Sequence, residues 1–289
     1  MNTGIFGNNL RDSEGYFRKK VEELLIKKGI RVLFSGEIHN GDLDVGKFAS
    51  ELDFVICIGG DGTLLNVARR VHRYQIPILG INLGSLGFLT NVERSDTENA
   101  VDRILKGEYL IETRMMLDGA VYREGRLIYQ DTALNDIVIK NDINSKIIHI
   151  KAYYDNLLID NYPGDGLIVC TPTGSTAYSL SCGGPIVEPV TGQITITPIC
   201  PHILFARSFV TSGQRIIRAV IDENEDFECI VKFDDKETFK LRGRDEVIYK
   251  KSESCVKIIV IDQVNFFDVL RQKLYNRGED LRRNERKKT

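Results

Sequence analysis

Apolar runs alternate with helical apolar patterns along the first third of the chain. Residues 54–58 are entirely apolar, residues 64–71 carry apolar side chains at helical spacing, and residues 76–81 are mostly apolar again. A continuous apolar run is typical of a strand buried on both faces, whereas a period of about 3.6 residues indicates a helix. The order strand, helix, strand therefore predicts a parallel sheet covered by helices. Further helices are predicted over residues 17–28 and 96–106.

The pattern then changes to short strands separated by turn residues. Hairpin turns are indicated at residues 124–126 and 155–156, and more short strands are predicted between residues 194 and 241. Such a series favours a β-sandwich. After it, the apolar strand 256–261 and the amphipathic helix 266–274 are expected to return to the first domain.

The predicted fold is thus an α/β N-terminal domain with a parallel sheet, followed by a β-sandwich-like C-terminal domain. At about 150 residues per domain, a chain of 289 residues has room for both. We expect residues 1–115, joined by residues 255–289, to form the first domain and to bind a nucleotide. Residues 116–254 are expected to form the second, β-rich domain.

Composition narrows the class of protein. The net charge is -2, from 39 basic and 41 acidic residues, so no strong field attracts nucleic acid or an anionic membrane. The N-terminus does not resemble a signal peptide, and the uncharged stretch 166–187 is too polar to insert, so we expect a cytoplasmic protein. The six scattered cysteines are expected to be buried free thiols, and the four isolated histidines indicate no metal site built by protein ligands.

The first candidate for chemistry is the turn Gly59-Gly60-Asp61-Gly62-Thr63, between a strand and a helix. Glycines allow the backbone to approach a ligand, and the N–H groups that begin a helix favour phosphate. The turn matches neither the Walker A pattern nor G-x-G-x-x-G. The Asp61 carboxylate would repel phosphate, which suggests a general base; capping the helix is the alternative, and both remain open here.

Two further segments carry polar groups next to apolar strands. Asn135 and Asp136 precede an apolar strand and offer side chains for the vicinal hydroxyls of a sugar, although a simple turn has the same composition. In residues 164–185 an apolar strand leads into a loop rich in hydroxyls, small residues and one tyrosine, Tyr178. That composition favours a site for a base and its ribose over a surface turn.

In this order, the three segments resemble the NAD kinase family over roughly residues 54–239. The glycine-aspartate turn is shared with diacylglycerol, sphingosine and phosphofructo-kinases, whereas the long third segment is more specific. The resemblance implies a dimer or tetramer with nucleotide sites near the interfaces, and NAD binding by the second domain.

The resemblance also implies individual roles. Asp61 matches the general base, Tyr178 the stacking partner of the dinucleotide, and Lys146 a frequently basic position. The residues implied to bind NAD are Asp61, Gly62, Asn135, Asp136, Lys146, Asp165, Thr176, Ala177, Tyr178, Ser179, Leu180 and Ser181. The chain departs from the family pattern at Pro163, where some members carry Arg, and near Lys236, where a Gln is found.

The implied activity is transfer of the terminal phosphoryl group of ATP to the 2′-hydroxyl of the adenosine ribose of NAD, which gives NADP. Mg²⁺ would bind with the nucleotide phosphates. NAD and ATP are the implied small-molecule partners, with neither nucleic acid nor membrane. A lipid kinase, which would depend on vesicles, and a sensor that binds the dinucleotide without turnover are the rival interpretations.

The charged C-terminal segment 277–289 has no apolar face to bury. We therefore expect its removal to leave the fold and turnover nearly unchanged. Size-exclusion chromatography and a turnover assay on the truncated chain check this, and loss of the soluble oligomer would show that the segment is structural.

Overall fold

The computed structural model describes residues 1–38, 44–84, 87–141, 147–222, 229–234, 239–262 and 266–273. The chain divides into two compact units. Unit 1 comprises Met1–Glu112 and Lys257–Thr289, and unit 2 comprises Thr113–Val256. The boundaries expected from the sequence lie after residues 115 and 254.

Unit 1 is an α/β layer structure. Its strands are β1 (Asn2–Gly7), β2 (Arg31–Glu37), β3 (Phe54–Gly59), β4 (Ile78–Asn82) and β5 (Val92–Glu93). Its helices are α1 (Tyr16–Lys27), α2 (Asp61–Val71) and α3 (Thr97–Lys106), and residues 266–273 are also helical. The strands are parallel in the order β4-β3-β1-β2, and β5 pairs with β4. The predicted parallel sheet is confirmed.

The apolar pattern of unit 1 explains its layers. All six residues of β3 are buried, as expected for a central strand covered on both faces. Helix α2 buries Leu64, Val67, Ala68 and Val71, which recur at helical spacing. This packing directs the carboxyl ends of β3 and β4, where ligands bind in open parallel sheets, toward the glycine turn and the loop after Asn82.

Unit 2 consists mainly of antiparallel strands. They are β6 (Leu110–Arg123), β7 (Arg126–Ala133), β8 (Asp136–Asn141), β9 (Ile148–Tyr154), β10 (Leu157–Gly164), β11 (Gly166–Cys170), β12 (Gln193–Ile199), β13 (Phe209–Ser212), β14 (Ile217–Ile221), β15 (Cys229–Phe233), β16 (Phe239–Leu241) and β17 (Glu246–Val260). One short helix, α4 (Tyr178–Ser181), lies in the loop after β11.

The strands of unit 2 form two layers around one core. One layer has the order β13-β12-β11-β8-β15-β16, and the other contains β10, β9, β14 and the first part of β17. Side chains from both layers meet in the core, among them Ile139, Val169, Ile150, Ile217 and Tyr249. The β-sandwich-like domain expected from the short alternating strands is confirmed.

Strand β17 returns the chain to unit 1, where Ile258 pairs with Ile78 of β4. The return is as predicted, but the strand is longer than the apolar segment 256–261. Its first half alternates buried with exposed residues such as Lys250 and therefore lacks a continuous apolar run. No helix among the described residues has the length and apolar character needed to cross a membrane.

The burial of the cysteines differs in part from the expectation that all six are buried. All six are free thiols, but only Cys57, Cys170 and Cys229 are buried. Cys182 and Cys200 directly follow the ends of α4 and β12 and are half-buried and exposed, respectively. Cys255 is half-buried because it lies in β17 near the exposed Glu253, outside a continuous apolar run. Burial raises the pKa of the Cys170 thiol to about 12.

Gly166 lets β11 and β8 approach closely, because a Cβ at this position would collide with the Ile139 carbonyl oxygen. We expect Gly166→Ala to reduce the free energy of unfolding by about 1–3 kcal/mol, the usual cost of overpacking. Gly192→Ala is the matched control, since nothing lies within 4 Å of a Cβ there. Urea denaturation compares the two, and equal stabilities would contradict the close approach.

Candidate active site

The carboxylate of Asp61 is held by the loop that follows β4. Its Oδ2 accepts the Phe88 N–H at 2.9 Å, and its Oδ1 accepts the Leu89 N–H at 3.1 Å. Thr90 donates to Oδ1 through both its N–H and its hydroxyl, each at 3.2 Å. At the start of α2 the N-cap is Gly60, and no side chain of the described residues makes a capping hydrogen bond there. The helix-cap interpretation of Asp61 is therefore wrong.

Four donors orient this half-buried carboxylate but do not saturate it. Oδ1 accepts three hydrogen bonds and Oδ2 accepts one. The three donors on Oδ1 share the two lone pairs of that oxygen, whereas Oδ2 accepts one hydrogen bond from the described residues and retains room for one further donor. The arrangement is a pre-oriented carboxylate that can receive a proton at Oδ2.

The loop after β4 is a functional segment that the sequence motifs did not indicate. A Cβ at Gly87 would collide with Asp61 Oδ1, so the loop reaches the carboxylate only because this residue is glycine. The buried Asn82 supports it, donating from Nδ2 to the Thr90 hydroxyl at 2.9 Å and accepting the Gly84 N–H at 2.7 Å. The repeated glycines in the segment after β4 were the available signal.

Arg11 places a cation beside the glycine turn. A Cβ at Gly60 would lie 2.9 Å from Arg11 Nη1, and a Cβ at Gly84 would lie 3.9 Å from it. The guanidinium therefore lies near the first residues of α2, where exposed Gly62 leaves the backbone open. A groove of about 570 Å³ at the same end of the sheet is lined by Asn82, Gly84, Lys20 and Arg94, among others.

In unit 2 the second and third candidate segments are neighbours. Strands β8 and β11 pair so that Asp136 lies opposite Cys170. Beyond the strand ends, the Thr171 N–H donates to the Asn135 carbonyl at 2.9 Å, and its hydroxyl donates to the Leu134 carbonyl at 2.6 Å. The backbone of Gly174 packs so closely on the Asn135 carbonyl that a Cβ would collide with it. The third segment thus builds the support for the second.

The hydroxyls of the third segment mostly serve its own structure. Ser175 is buried and its hydroxyl bonds Pro172, Val187 or both, with distances of 2.6 Å and 3.1 Å to their carbonyls. Ser179 is buried against the Thr197 hydroxyl at 2.9 Å, and Thr176 donates to a carbonyl within the same loop. The hydroxyls of Ser175, Ser179 and Thr176 thus have partners within unit 2, as buried hydroxyls generally need.

Tyr178 is the aromatic side chain that this loop presents to solvent, with 41% of its surface exposed. Burial of the remainder, together with the neighbouring Cys182, Cys200 and Asp165, raises the pKa of its phenol. Burial, Cys200 and Asp136 likewise raise the pKa of the Cys182 thiol. Tyr178 and Cys182 are therefore neutral at neutral pH and lie in one cluster with the two carboxylates.

The remaining predicted site residues differ in exposure. Ser181 is exposed, Ala177 and Leu180 are half-buried, and half-buried Asp165 accepts the Asn141 side-chain amide at 3.4 Å. Lys146 and Lys236 lie outside the described residues. Among the residues that the structure does describe, no group of three or more His, Cys, Asp or Glu side chains could hold a metal ion.

Both parts of the chain match models of known domain families. Residues 3–109 match the model of the ATP-NAD kinase N-terminal domain, and residues 134–261 match that of the ATP-NAD kinase C-terminal domain. Among curated proteins, an NAD kinase of Ruminiclostridium cellulolyticum is 43% identical over 282 residues, which is 96% of this chain and 99% of the relative. An NAD kinase of Acetivibrio thermocellus is 41% identical over 98% of this chain and 100% of its own length.

Solved structures agree on the fold. A yeast NADH kinase complexed with NADH superposes with a TM-score of 0.79 at 21% identity, covering 95% of this chain and 87% of the other. An NAD kinase from Archaeoglobus fulgidus in complex with ATP gives a TM-score of 0.74 at 26% identity, covering 95% and 99%. Since both domain models match in order and the relatives align over nearly the whole length, the chain belongs to the NAD kinase family.

Proposed function

We propose that the chain transfers the terminal phosphoryl group of ATP to the 2′-hydroxyl of the adenosine ribose of NAD, with Asp61 as the general base. Membership in the NAD kinase family supports this choice of substrates. The yeast NADH kinase of the same fold was solved with NADH, and the archaeal NAD kinase was solved with ATP. The observation that carries the proposal is the Asp61 carboxylate, fixed by four donors with Oδ2 still able to accept a proton.

In the proposed reaction, Asp61 Oδ2 takes the proton of the ribose 2′-hydroxyl as the oxygen attacks the terminal phosphorus. The bond from that phosphorus to the bridging oxygen breaks, and ADP leaves. Phosphoryl transfer depends mainly on positioning and charge stabilisation. Arg11, beside the turn, is suited to meet the phosphate charge because a guanidinium matches phosphate oxygens.

For the acceptor, we assign ribose recognition to the side chains of Asn135 and Asp136 and base stacking to Tyr178. An amide both donates and accepts, whereas a carboxylate only accepts, so the pair suits two adjacent hydroxyls. Gly62, Asp165, Lys146 and the segment 176–181 remain proposed contacts. Ser179 would act within this segment as a support, since its side chain is buried.

Mg²⁺ would enter with ATP as part of the donor substrate. Such ions are held largely by phosphate oxygens and water, with only one or two carboxylates. When bound, the ion would neutralise phosphate charge.

NADP formation from NAD and ATP by the purified chain tests the proposed function. Turnover independent of vesicles is expected. Binding of NADP without turnover would instead indicate a dinucleotide sensor, and a requirement for lipid vesicles would indicate a lipid kinase.

Asp61→Asn is expected to lower kcat by roughly 10²–10⁴, the usual contribution of a positioned general base, because an amide accepts no proton at neutral pH. KM values should change little. Steady-state kinetics and a melting curve check both points. Retention of more than about a tenth of kcat with normal stability would assign the base elsewhere.

Thr90→Val is the matched control for Asp61→Asn, because it removes the Thr90 hydroxyl contact to the same carboxylate while leaving the base intact. We expect kcat to fall by less than about tenfold, since orientation by the three N–H groups remains. An equal loss of kcat in both variants would show that anchoring of the loop, and not proton transfer, dominates.

Tyr178→Ala is expected to weaken NADP binding by about 1–3 kcal/mol, the range for base–aromatic stacking. Tyr153→Ala is the control, since this tyrosine of unit 2 stacks under Arg218 at 4.3 Å. Calorimetric titration with NADP and melting curves separate the cases. If Tyr178→Ala mainly lowers the melting temperature, and the affinity for NADP falls only as a consequence, Tyr178 has a structural role.

A further inference from the structure

The carboxylate of Asp234 closes a turn at the start of β8. It accepts three consecutive backbone N–H groups, from Leu134 at 2.9 Å, Asn135 at 2.7 Å and Asp136 at 3.2 Å. The Asp234 N–H donates to the Asp136 carbonyl at 2.8 Å. Consecutive N–H groups that point in one direction form a concave anion site, and here the protein fills it with its own side chain.

The backbone of Asp234 explains how the carboxylate reaches this position. Strand β15 pairs with β8 up to Phe233, which lies opposite Ile137. At the next residue φ is 51°, in the left-handed region, so the chain turns away from the straight strand. Aspartate and asparagine adopt this conformation more readily than other side chains. The turn therefore places the side chain of Asp234 against residues 134–136.

The hydrogen bonds from residues 134–136 to the Asp234 carboxylate, here called the Asp234 clamp, fix the backbone of Asn135 and leave its side chain available. The Asn135 N–H is bound by Asp234 and its carbonyl by the Thr171 N–H, so both backbone groups are engaged. Within the described part of the chain, the Asn135 side chain makes no hydrogen bond, and it is half-buried. Asp136 is held at both its N–H and its carbonyl by Asp234.

We propose that Asp234 is a positioning residue for the acceptor substrate, which fixes the Leu134–Asp136 backbone so that Asn135 and Asp136 meet the ribose hydroxyls. This inference rests on the proposed function, since it assigns the ribose to that pair. Asp234 itself touches neither substrate. Its role differs from a general contribution to folding, because it sets the geometry of two ligand side chains.

Asp234→Asn is the sharpest test, because asparagine tolerates the positive φ but replaces one carboxylate oxygen with an NH₂ group that cannot accept an N–H. We expect kcat/KM for NAD to fall by about ten- to a hundredfold through KM, the scale of loss from a misplacement of about 1 Å. KM for ATP should stay within about twofold. Hydrogen exchange at residues 134–136 should accelerate.

Asp245→Asn is the matched control in the same unit. Asp245 is buried, accepts the Arg242 N–H at 2.9 Å and pairs with Arg123 at 2.8 Å and 2.7 Å, and none of its hydrogen bonds reaches residues 134–136. The variant Asp245→Asn should have a lower melting temperature and an unchanged KM for NAD. An unchanged KM for NAD in Asp234→Asn, or the same rise in both variants, would overturn the proposal.

Asp234→Glu is used in the same way if Asp234→Asn does not fold, since it keeps the charge but displaces it by one methylene. Failure of both to fold would assign Asp234 to the fold and overturn the proposal. Wild-type turnover is measured first. If the wild type forms no NADP, the proposed function fails, and the role of Asp234 is then decided from the Kd for NADP of each variant.

Discussion

Consecutive backbone N–H groups that a loop turns away from water need acceptors, and an aspartate supplies them at the candidate site residues of each unit. In unit 1, Asp61 accepts the N–H groups of Phe88, Leu89 and Thr90. In unit 2, Asp234 accepts those of residues 134–136. Of these residues, Asp136 begins strand β8 and the others lie in no helix or strand, so each carboxylate supplies hydrogen bonds that regular structure does not. The candidate catalytic and binding residues inherit their geometry from this constraint.

Asp61 and Asp234 both bind consecutive backbone N–H groups, but their carboxylates have different proposed roles. The charge of Asp61 is itself the proposed reactive group, and the loop orients it. The carboxylate of Asp234 binds backbone N–H groups, and the side chains of Asn135 and Asp136 are the proposed substrate ligands. In both cases a glycine permits the approach: Gly87 at the Asp61 carboxylate and Gly174 at the Asn135 carbonyl. A larger residue at either position would displace the loop from its partner.

The hydroxyl-rich third segment shows why composition alone misjudges a site. Its serines and threonines attracted a ligand-binding interpretation because such residues can donate and accept. The structure uses Ser175 and Ser179 to satisfy buried carbonyl, N–H and hydroxyl groups within unit 2. The segment also carries the exposed ring of Tyr178 and supports Asn135 through Thr171. The group that this segment exposes for its proposed role in binding is therefore the ring of Tyr178.

The sequence by itself determined the layers of this protein, because burial of apolar runs follows a period that can be counted. Strand β3, helix α2 and the return of β17 were predicted from that period, and the order of the three motifs identified the family. The tertiary structure alone decided what each polar side chain does. The Asp61 carboxylate binds N–H groups that begin 27 positions away in the sequence and does not cap its helix. The Asp234 carboxylate binds an N–H group 100 positions away. No local pattern encodes such partners, since they meet only after the sheets have brought distant loops together.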